Sequence, residues 1–140
     1  MLISLKSPLT MIVSDGGRNQ KDEPTHPRAT GTFSRILGHY VRDTAALDLK
    51  TALAKMTVMP AQRLEKRVPE MKDRGRIRVG AIADVTVFDA TRIIDKSTYT
   101  NAAIASTGVM HVLVNGVAIV RDGRVVDGVM PGRPIRAPIK

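Results

Sequence analysis

Met110-His111-Val112-Leu113-Val114-Asn115-Gly116-Val117-Ala118-Ile119-Val120 is the stretch from which the second half of the chain can be read. Two runs rich in β-branched residues flank Asn115-Gly116. A two-residue Asn-Gly link is the strongest short hairpin signal, because a type I′ turn needs positive φ at both central positions. Asp122-Gly123 repeats the device before Val125-Val126. Further on, Gly132 and the prolines Pro131, Pro134 and Pro138 make the tail an extended edge with few ladder donors. Working back from the hairpin, Asp84 to Phe88 and Ile77 to Val79 read as strands, with a loop between Phe88 and Met110.

Upstream of these strands lies the sharpest charge feature. Arg63, Lys66, Arg67, Lys72, Arg74, Arg76 and Arg78 are set against only Glu65, Glu70 and Asp73. A phosphate-binding patch is one reading, but no aromatic residue is interleaved for base stacking and no nucleic-acid-binding signature accompanies the run. Lysine and arginine also guard strand edges against aggregation. The preferred reading is a solvated linker and strand edge, with no nucleic acid as partner.

Before residue 72 the periodicity is helical. Phe33, Ile36, Leu37, Tyr40 and Val41 recur at helix spacing, and Asp48 is placed to cap a second helix whose stripe is Leu49, Ala52, Leu53 and Met56. Pro60 ends that helix or opens another turn. Arg18 to Thr30 is polar and holds Pro24 and Pro27, a loop long enough to suggest function. Ahead of it, Leu9-Thr10-Met11-Ile12-Val13 is apolar almost throughout and stops at Ser14-Asp15-Gly16-Gly17. Continuous apolarity predicts a strand buried on both faces, as in a parallel sheet. The chain thus divides near Lys72 into an α/β piece, residues 1–72, and an all-β piece, residues 73–140.

Composition bounds the rest. The 140 residues are 43% hydrophobic and 25% charged, with a formal net charge of +9. That is too apolar for a disordered chain, and the longest apolar runs fall far short of the ~18 residues of a membrane span. No membrane partner is expected. The opening Met1-Leu2-Ile3-Ser4-Leu5-Lys6-Ser7-Pro8 has no basic n-region and no uninterrupted apolar core, so no export signal is read and the cytoplasm is the default. With no cysteine, thiolate ligands, a cysteine nucleophile and disulfides are excluded. No tryptophan is present and the aromatics are Phe33, Tyr40, Phe88 and Tyr99, so the core must be built from aliphatic residues.

Met11-Ile12-Val13-Ser14-Asp15-Gly16, His26-Pro27-Arg28 and Gly31-Thr32-Phe33-Ser34-Arg35-Ile36-Leu37-Gly38-His39-Tyr40-Val41-Arg42 match a known family in both order and spacing. With Lys55-Met56-Thr57, Pro60-Ala61-Gln62-Arg63-Leu64, Arg74-Gly75-Arg76-Ile77, Val79-Gly80-Ala81-Ile82-Ala83-Asp84, Val114-Asn115-Gly116 and Pro131-Gly132-Arg133, they cover essentially the whole chain. The sequence resembles the C-terminal part of the N-acyl-D-amino-acid deacylases (D-aminoacylases) of the metal-dependent amidohydrolase superfamily. The resemblance implies the last strand and helices of a (β/α)₈ barrel, with strand eight near 9–13 and helices over about 32–64. The C-terminal strands of a small β-sandwich would follow in 73–140. Because a full barrel needs ~250 residues, the resemblance implies a fragment.

The same resemblance assigns the site residues. Asp15 corresponds to the family's general base and acid, which takes a proton from the attacking water and delivers one to the departing amine. Read without it, an Asp before Gly-Gly is a turn former. Arg28 corresponds to the arginine that binds the substrate's α-carboxylate, a task suited to a planar guanidinium fork; the plain alternative is a surface arginine on a loop. The implied cofactor is zinc in the full-length enzyme, with none expected in this chain. His26, His39 and His111 are its only histidines, they form no His-x-His pair, and a catalytic zinc takes three protein ligands. Structural roles are expected for all three.

The implied substrate of the intact enzyme is an N-acylated D-amino acid, and the isolated chain is expected to be inactive. Glu65 to Asp73 is longer than the family's usual connection, which implies a related subgroup and leaves the particular acyl group and amino acid open. A subunit or binding module that completes a barrel with a partner chain is the second reading. An apolar strand without barrel neighbours would expose surface and open edges. Self-association, as a dimer or larger, is therefore expected, with a second copy covering this strand and the helix faces around Phe33 and Leu53.

Overall fold

Asn115 and Gly116 adopt φ values of 49° and 79°, the left-handed pair that their chemistry favours. They close a hairpin between β2 (Val109–Val114) and β3 (Val117–Arg121). The computed structural model describes residues 2–137. In the second turn Asp122 and Gly123 take φ of 50° and 74° and reverse the chain into the short β4 (Arg124–Val125). β1 (Val85–Phe88) pairs antiparallel with β2, aligning Val85 with Leu113 and Val87 with His111, and a register shift follows at Phe88. The result is one four-stranded antiparallel sheet in the order β1-β2-β3-β4.

The first half is helical. α1 (Leu2–Lys6) leads in, and α2 (Arg28–Arg35) runs directly into a wider π-helical segment, Ile36–Asp43. Then come α3 (Leu49–Met56), α4 (Val58–Glu65) and a 3₁₀ turn, Pro69–Asp73. Asp48 caps α3 as its position predicts, accepting the Thr51 N–H at 2.9 Å. Pro60 lies in the first turn of α4, where a missing N–H costs nothing. Ile36, Tyr40 and Ala52 form the buried core of this half, and Leu5, Ile12, Val41, Ala46 and Met56 pack around them.

The segment between β1 and β2, expected to be a plain loop, joins the two halves. Ile93, 2% exposed, sits at the joint. A Cβ at Gly38 would lie 2.3 Å from the Ile93 carbonyl oxygen, and one at Gly108 would lie 2.5 Å from Ile93 Cα. Both glycines are therefore required by close approach, and Gly108 also by its φ of 83°. Arg42 Nη1 donates to the Ile93 carbonyl at 2.6 Å, Thr30 Oγ1 to that of Ala102 at 2.7 Å, and Ser97 Oγ to that of Pro27 at 3.0 Å. A second joint is electrostatic: Arg74, buried at the end of the 3₁₀ turn, pairs with Glu70 and Asp84, and Asp84 Oδ1 accepts the Asn115 N–H at 2.8 Å. Between the joints a cleft of about 510 Å³ is lined by Phe33, Leu37, Leu53 and Met56 on the helical side and Val85 and Phe88 on the sheet.

Three features of this chain differ from the expected arrangement. Residues 9–13 form no strand, and Leu9, Met11 and Val13 are all exposed, Leu9 at 91%. Besides the local Thr10 N–H to Ser7 carbonyl bond, the segment's backbone-to-backbone bond is Ile12 N–H to the Lys55 carbonyl at 3.0 Å. An apolar run becomes a parallel strand only where neighbouring strands accept and donate along its edges, and no described strand does so here. Ile77 to Val79 likewise has no ladder partner, with Ile77 92% exposed. Finally, among the described residues 73–137 contribute one sheet, with no second sheet packed against it. The observed architecture is thus helices beside a small antiparallel sheet, and the helix faces around Phe33 and Leu53 line a cleft against that sheet.

Candidate active site

Asp15 ends the extended apolar segment with φ of 47°, a left-handed conformation that aspartate tolerates better than most residues. The glycine after it is fixed by space. A Cβ at Gly16 would meet Ala29 Cα at 2.5 Å, so only glycine lets this turn lie against the first turn of α2. That close approach sets Asp15 beside Arg28, the first residue of α2. Arg28 Nε donates to the Asp15 carbonyl at 2.8 Å, and Arg28 Nη2 lies 3.5 Å from Asp15 Oδ2. The two residues singled out in the sequence, thirteen positions apart, are neighbours.

The entry to α2 is organised by its own chemistry. Pro27, with φ of −52°, presets the backbone one residue ahead of the helix. His26 Nδ1 accepts the Arg28 N–H at 3.0 Å, satisfying one of the unpaired donors of a helix start. The His26 ring then meets Tyr99 edge-on at 5.0 Å. The polar loop ahead of it closes on itself: Arg18 bridges to Pro24, and Asn19 Oδ1 accepts the N–H groups of Lys21 and Glu23, each at 2.9 Å. The loop is thus a compact excursion that returns the chain to Arg28.

The side chain of Asp15 is 87% exposed and that of Arg28 is half-exposed, so the carboxylate and the guanidinium face solvent side by side. The carboxylate can accept a proton and the guanidinium can hold an anion, both without rearrangement of the backbone. The histidines take other places. His39 stacks edge-on against Tyr40 at 4.8 Å, and His111 Nδ1 accepts the Asp122 N–H at 3.4 Å across the β3–β4 turn. Among the described residues no three His, Cys, Asp or Glu side chains gather at one point. These residues do not fit a catalytic zinc centre on their own, since such a centre takes three protein ligands.

Three arginines of the basic run, Arg74, Arg76 and Arg78, are paired with carboxylates within the fold. Besides the Arg74 pairs, Arg76 Nη2 lies 2.8 Å from Glu65 Oε2, and Arg78 pairs with Asp73. These contacts accord with a structural role for the run. Among the described residues no helix is long and apolar enough to cross a membrane. One residue near the site was not legible as such. Lys55, 1% exposed, reaches from α3 to the segment leading to Asp15. The available signal was its place three residues after Ala52 on the buried side of α3.

The chain matches the model of the Amidohydrolase family over residues 11–120. It belongs to that family. Among curated relatives it is 45% identical over 133 residues to the N-acyl-D-glutamate deacylase of Alcaligenes xylosoxydans xylosoxydans, covering 89% of this chain and 26% of the relative. The D-aminoacylase of the same organism is 40% identical over 110 residues, covering 79% of this chain and 21% of the relative. Among solved structures, a D-aminoacylase that defines a novel subset of amidohydrolases superposes with a TM-score of 0.78 at 36% identity, over 90% of this chain and 25% of that one. The N-acyl-D-glutamate deacylase of Bordetella bronchiseptica, solved with zinc and a phosphonate mimic of the tetrahedral intermediate, gives a TM-score of 0.71 at 39% identity, over 85% and 24%. The chain thus spans about a quarter of the length of the relatives it matches.

Proposed function

We propose that this chain is the C-terminal part of an amidohydrolase that cleaves the amide bond of N-acyl-D-amino acids, with Asp15 moving the proton and Arg28 anchoring the substrate. The observation that carries the reading is the adjacency of Asp15 and Arg28, produced by the Gly16–Ala29 contact. Arg28 pairs with the α-carboxylate of the substrate through its planar fork. In the resting chain the same guanidinium lies within ion-pair reach of Asp15, so an incoming carboxylate competes for it and leaves the Asp15 oxygens free to work as a base. Asp15 then accepts a proton from the water attacking the acyl carbonyl and returns one to the amine nitrogen as the C–N bond breaks.

The zinc of the complete enzyme supplies the Lewis acid that polarises the carbonyl and acidifies water. In this reading its ligands come from outside the chain, residues 9–13 take their place as the eighth barrel strand, and residues 73–140 supply the tail strands of the sandwich. The chain alone is inactive. It self-associates through the exposed Leu9, Met11 and Val13, a contact that light scattering at micromolar concentration detects.

The decisive test is hydrolysis of N-acetyl-D-glutamate by the complete zinc-loaded enzyme. Asp15→Asn is expected to lower kcat by about 10²–10⁴-fold, the usual contribution of a positioned acid–base group. Arg28→Met is expected to lower kcat/KM by roughly 10–100-fold, the loss of a charge-assisted hydrogen bond to a carboxylate. An Asp15→Asn enzyme with unchanged kcat would overturn the reading. Turnover by the isolated chain with zinc, lost on the same substitution, would overturn its inactivity.

A further inference from the structure

Lys55 is the one fully buried ammonium in the described core, and it touches no carboxylate that could justify its charge. It lies on α3 at 1% exposure. Its Nζ donates to the Ser7 carbonyl, to the Thr10 carbonyl at 2.8 Å and to Thr10 Oγ1 at 3.1 Å. All three ammonium hydrogens are thereby used. Thr10 Oγ1 in turn has the Ser4 and Ser7 carbonyls at 2.5 and 3.0 Å, within reach of its single hydrogen. The Lys55 main chain takes part as well, since its carbonyl accepts the Ile12 N–H at 3.0 Å. One residue therefore grips the segment at positions 7, 10 and 12.

A buried charge is costly unless hydrogen bonds replace its hydration, and an apolar side chain of similar volume would fill the space without that cost. What the ammonium does that a methyl end cannot is to fix the positions of three oxygens. Those oxygens belong to Ser7 and Thr10, in the segment that reaches Asp15 five residues after Thr10. The segment has no ladder partner among the described residues, and its Leu9, Met11 and Val13 are exposed. Upstream of Asp15, Lys55 is the polar hold on the backbone; downstream, the hold is Arg28 Nε on the Asp15 carbonyl.

We infer that Lys55 is a positioning residue for Asp15, with its ammonium setting the path of residues 7–12 so that the Asp15 carboxylate arrives at the reacting groups. The inference rests on the reading of Asp15 as the proton-transfer group. The tether itself is independent of that reading and can be measured in the 140-residue chain.

Two measurements separate the possibilities. In the chain, amide hydrogen exchange is read for Lys55→Met over residues 10–16, with residues 109–121 of the sheet as an internal reference. Exchange is expected to quicken at least tenfold in 10–16 and to hold within twofold in 109–121. Equal quickening in both regions would make Lys55 a general stabiliser and overturn the inference. In the complete enzyme, Lys55→Met is expected to lower kcat at least tenfold with KM within twofold, because substrate anchoring by Arg28 is untouched while the proton-transfer group is displaced. Asp15→Asn is assayed alongside. If Asp15→Asn is inactive and Lys55→Met keeps its kcat within twofold, the positioning role falls and the proposed function stands. If Asp15→Asn keeps full activity, the proposed function falls and takes the positioning role with it. Should Lys55→Met fail to fold, Thr10→Val removes the hydroxyl, both as an acceptor for Lys55 and as a donor to the Ser4 and Ser7 carbonyls, and keeps the ammonium with its two carbonyl partners. It is expected to shift exchange and kcat in the same directions by about two- to fivefold, and no change in either would overturn the inference.

Discussion

The sheet of residues 85–125 and the helical region of residues 2–65 are built on opposite terms. In the sheet, β2, β3 and β4 follow one another through two-residue turns, so each strand finds its partner a few positions away. In the helical region the order of the parts depends on distant chain. α2 and its π-helical continuation are seated on Ile93, Asp95, Ser97 and Ala102, which come about fifty to seventy residues later. Local pairing is carried by turn chemistry, whereas long-range docking is carried by shape, and shape requires glycines at Gly38 and Gly108, where backbones meet, and leaves room at Gly31 for the Ser97 and Asp95 side chains. The lesson is that an isolated hairpin substitution should act on one region and a change at the joint should act on both.

The largest effect is expected at Ile93. Truncation to alanine removes the side chain that both halves enclose and should cost about 2–5 kcal/mol. Urea unfolding followed separately by helix and sheet signals should show both shifted together. A shift confined to the helix signal would mean the two regions are less coupled than their contacts imply.

A smaller effect, about 1–2 kcal/mol, is expected for Gly116→Val, since a β-branched residue is strained at φ of 79°. Here the comparison sharpens. The β2–β3 amide resonances should move while those of α2 and α3 hold. Movement spreading to α3 would show that the Asn115–Asp84–Arg74 contacts carry strain across the joint.

The smallest effect is expected at the Asp48 cap. Its carboxyl is held below the ordinary value of 3.8 by the hydrogen bonds of the Thr51 side chain and backbone N–H. A carboxyl whose folded value is lowered contributes stability above its unfolded value and loses that contribution as pH falls through the folded value. Asp48→Ala should therefore lower Tm at pH 7 by a small amount, and the gap to the parent chain should close below pH 3.8. A gap that is independent of pH would mean that the aspartate acts through packing and not through its charge.

Asn115-Gly116, Asp122-Gly123 and the Asp48 cap were legible in the sequence because each is decided by the preferences of one to four adjacent residues. The amidohydrolase kinship was legible because its motifs are short blocks whose order survives in a linear reading. The Leu9–Val13 run forms no strand in this chain for the complementary reason. Its apolarity is that of a strand buried on both faces, but a parallel ladder is made by partners that lie far off in sequence, and no described strand supplies them. Lys55 was missed because charge on a helix is read as exposure, and only the folded backbone shows three oxygens converging on its ammonium.

The site divides in the same way. The sequence by itself determined the family and the turns that order the sheet, and it singled out Asp15 and Arg28 as candidates, since all of these readings depend on residue types at fixed short spacing. The tertiary structure decided that Asp15 and Arg28 are neighbours, that Ile93 joins the halves and that Lys55 grips the approach to Asp15. These depend on where backbones can touch, and that follows from packing in three dimensions, such as the contact of Gly16 with Ala29.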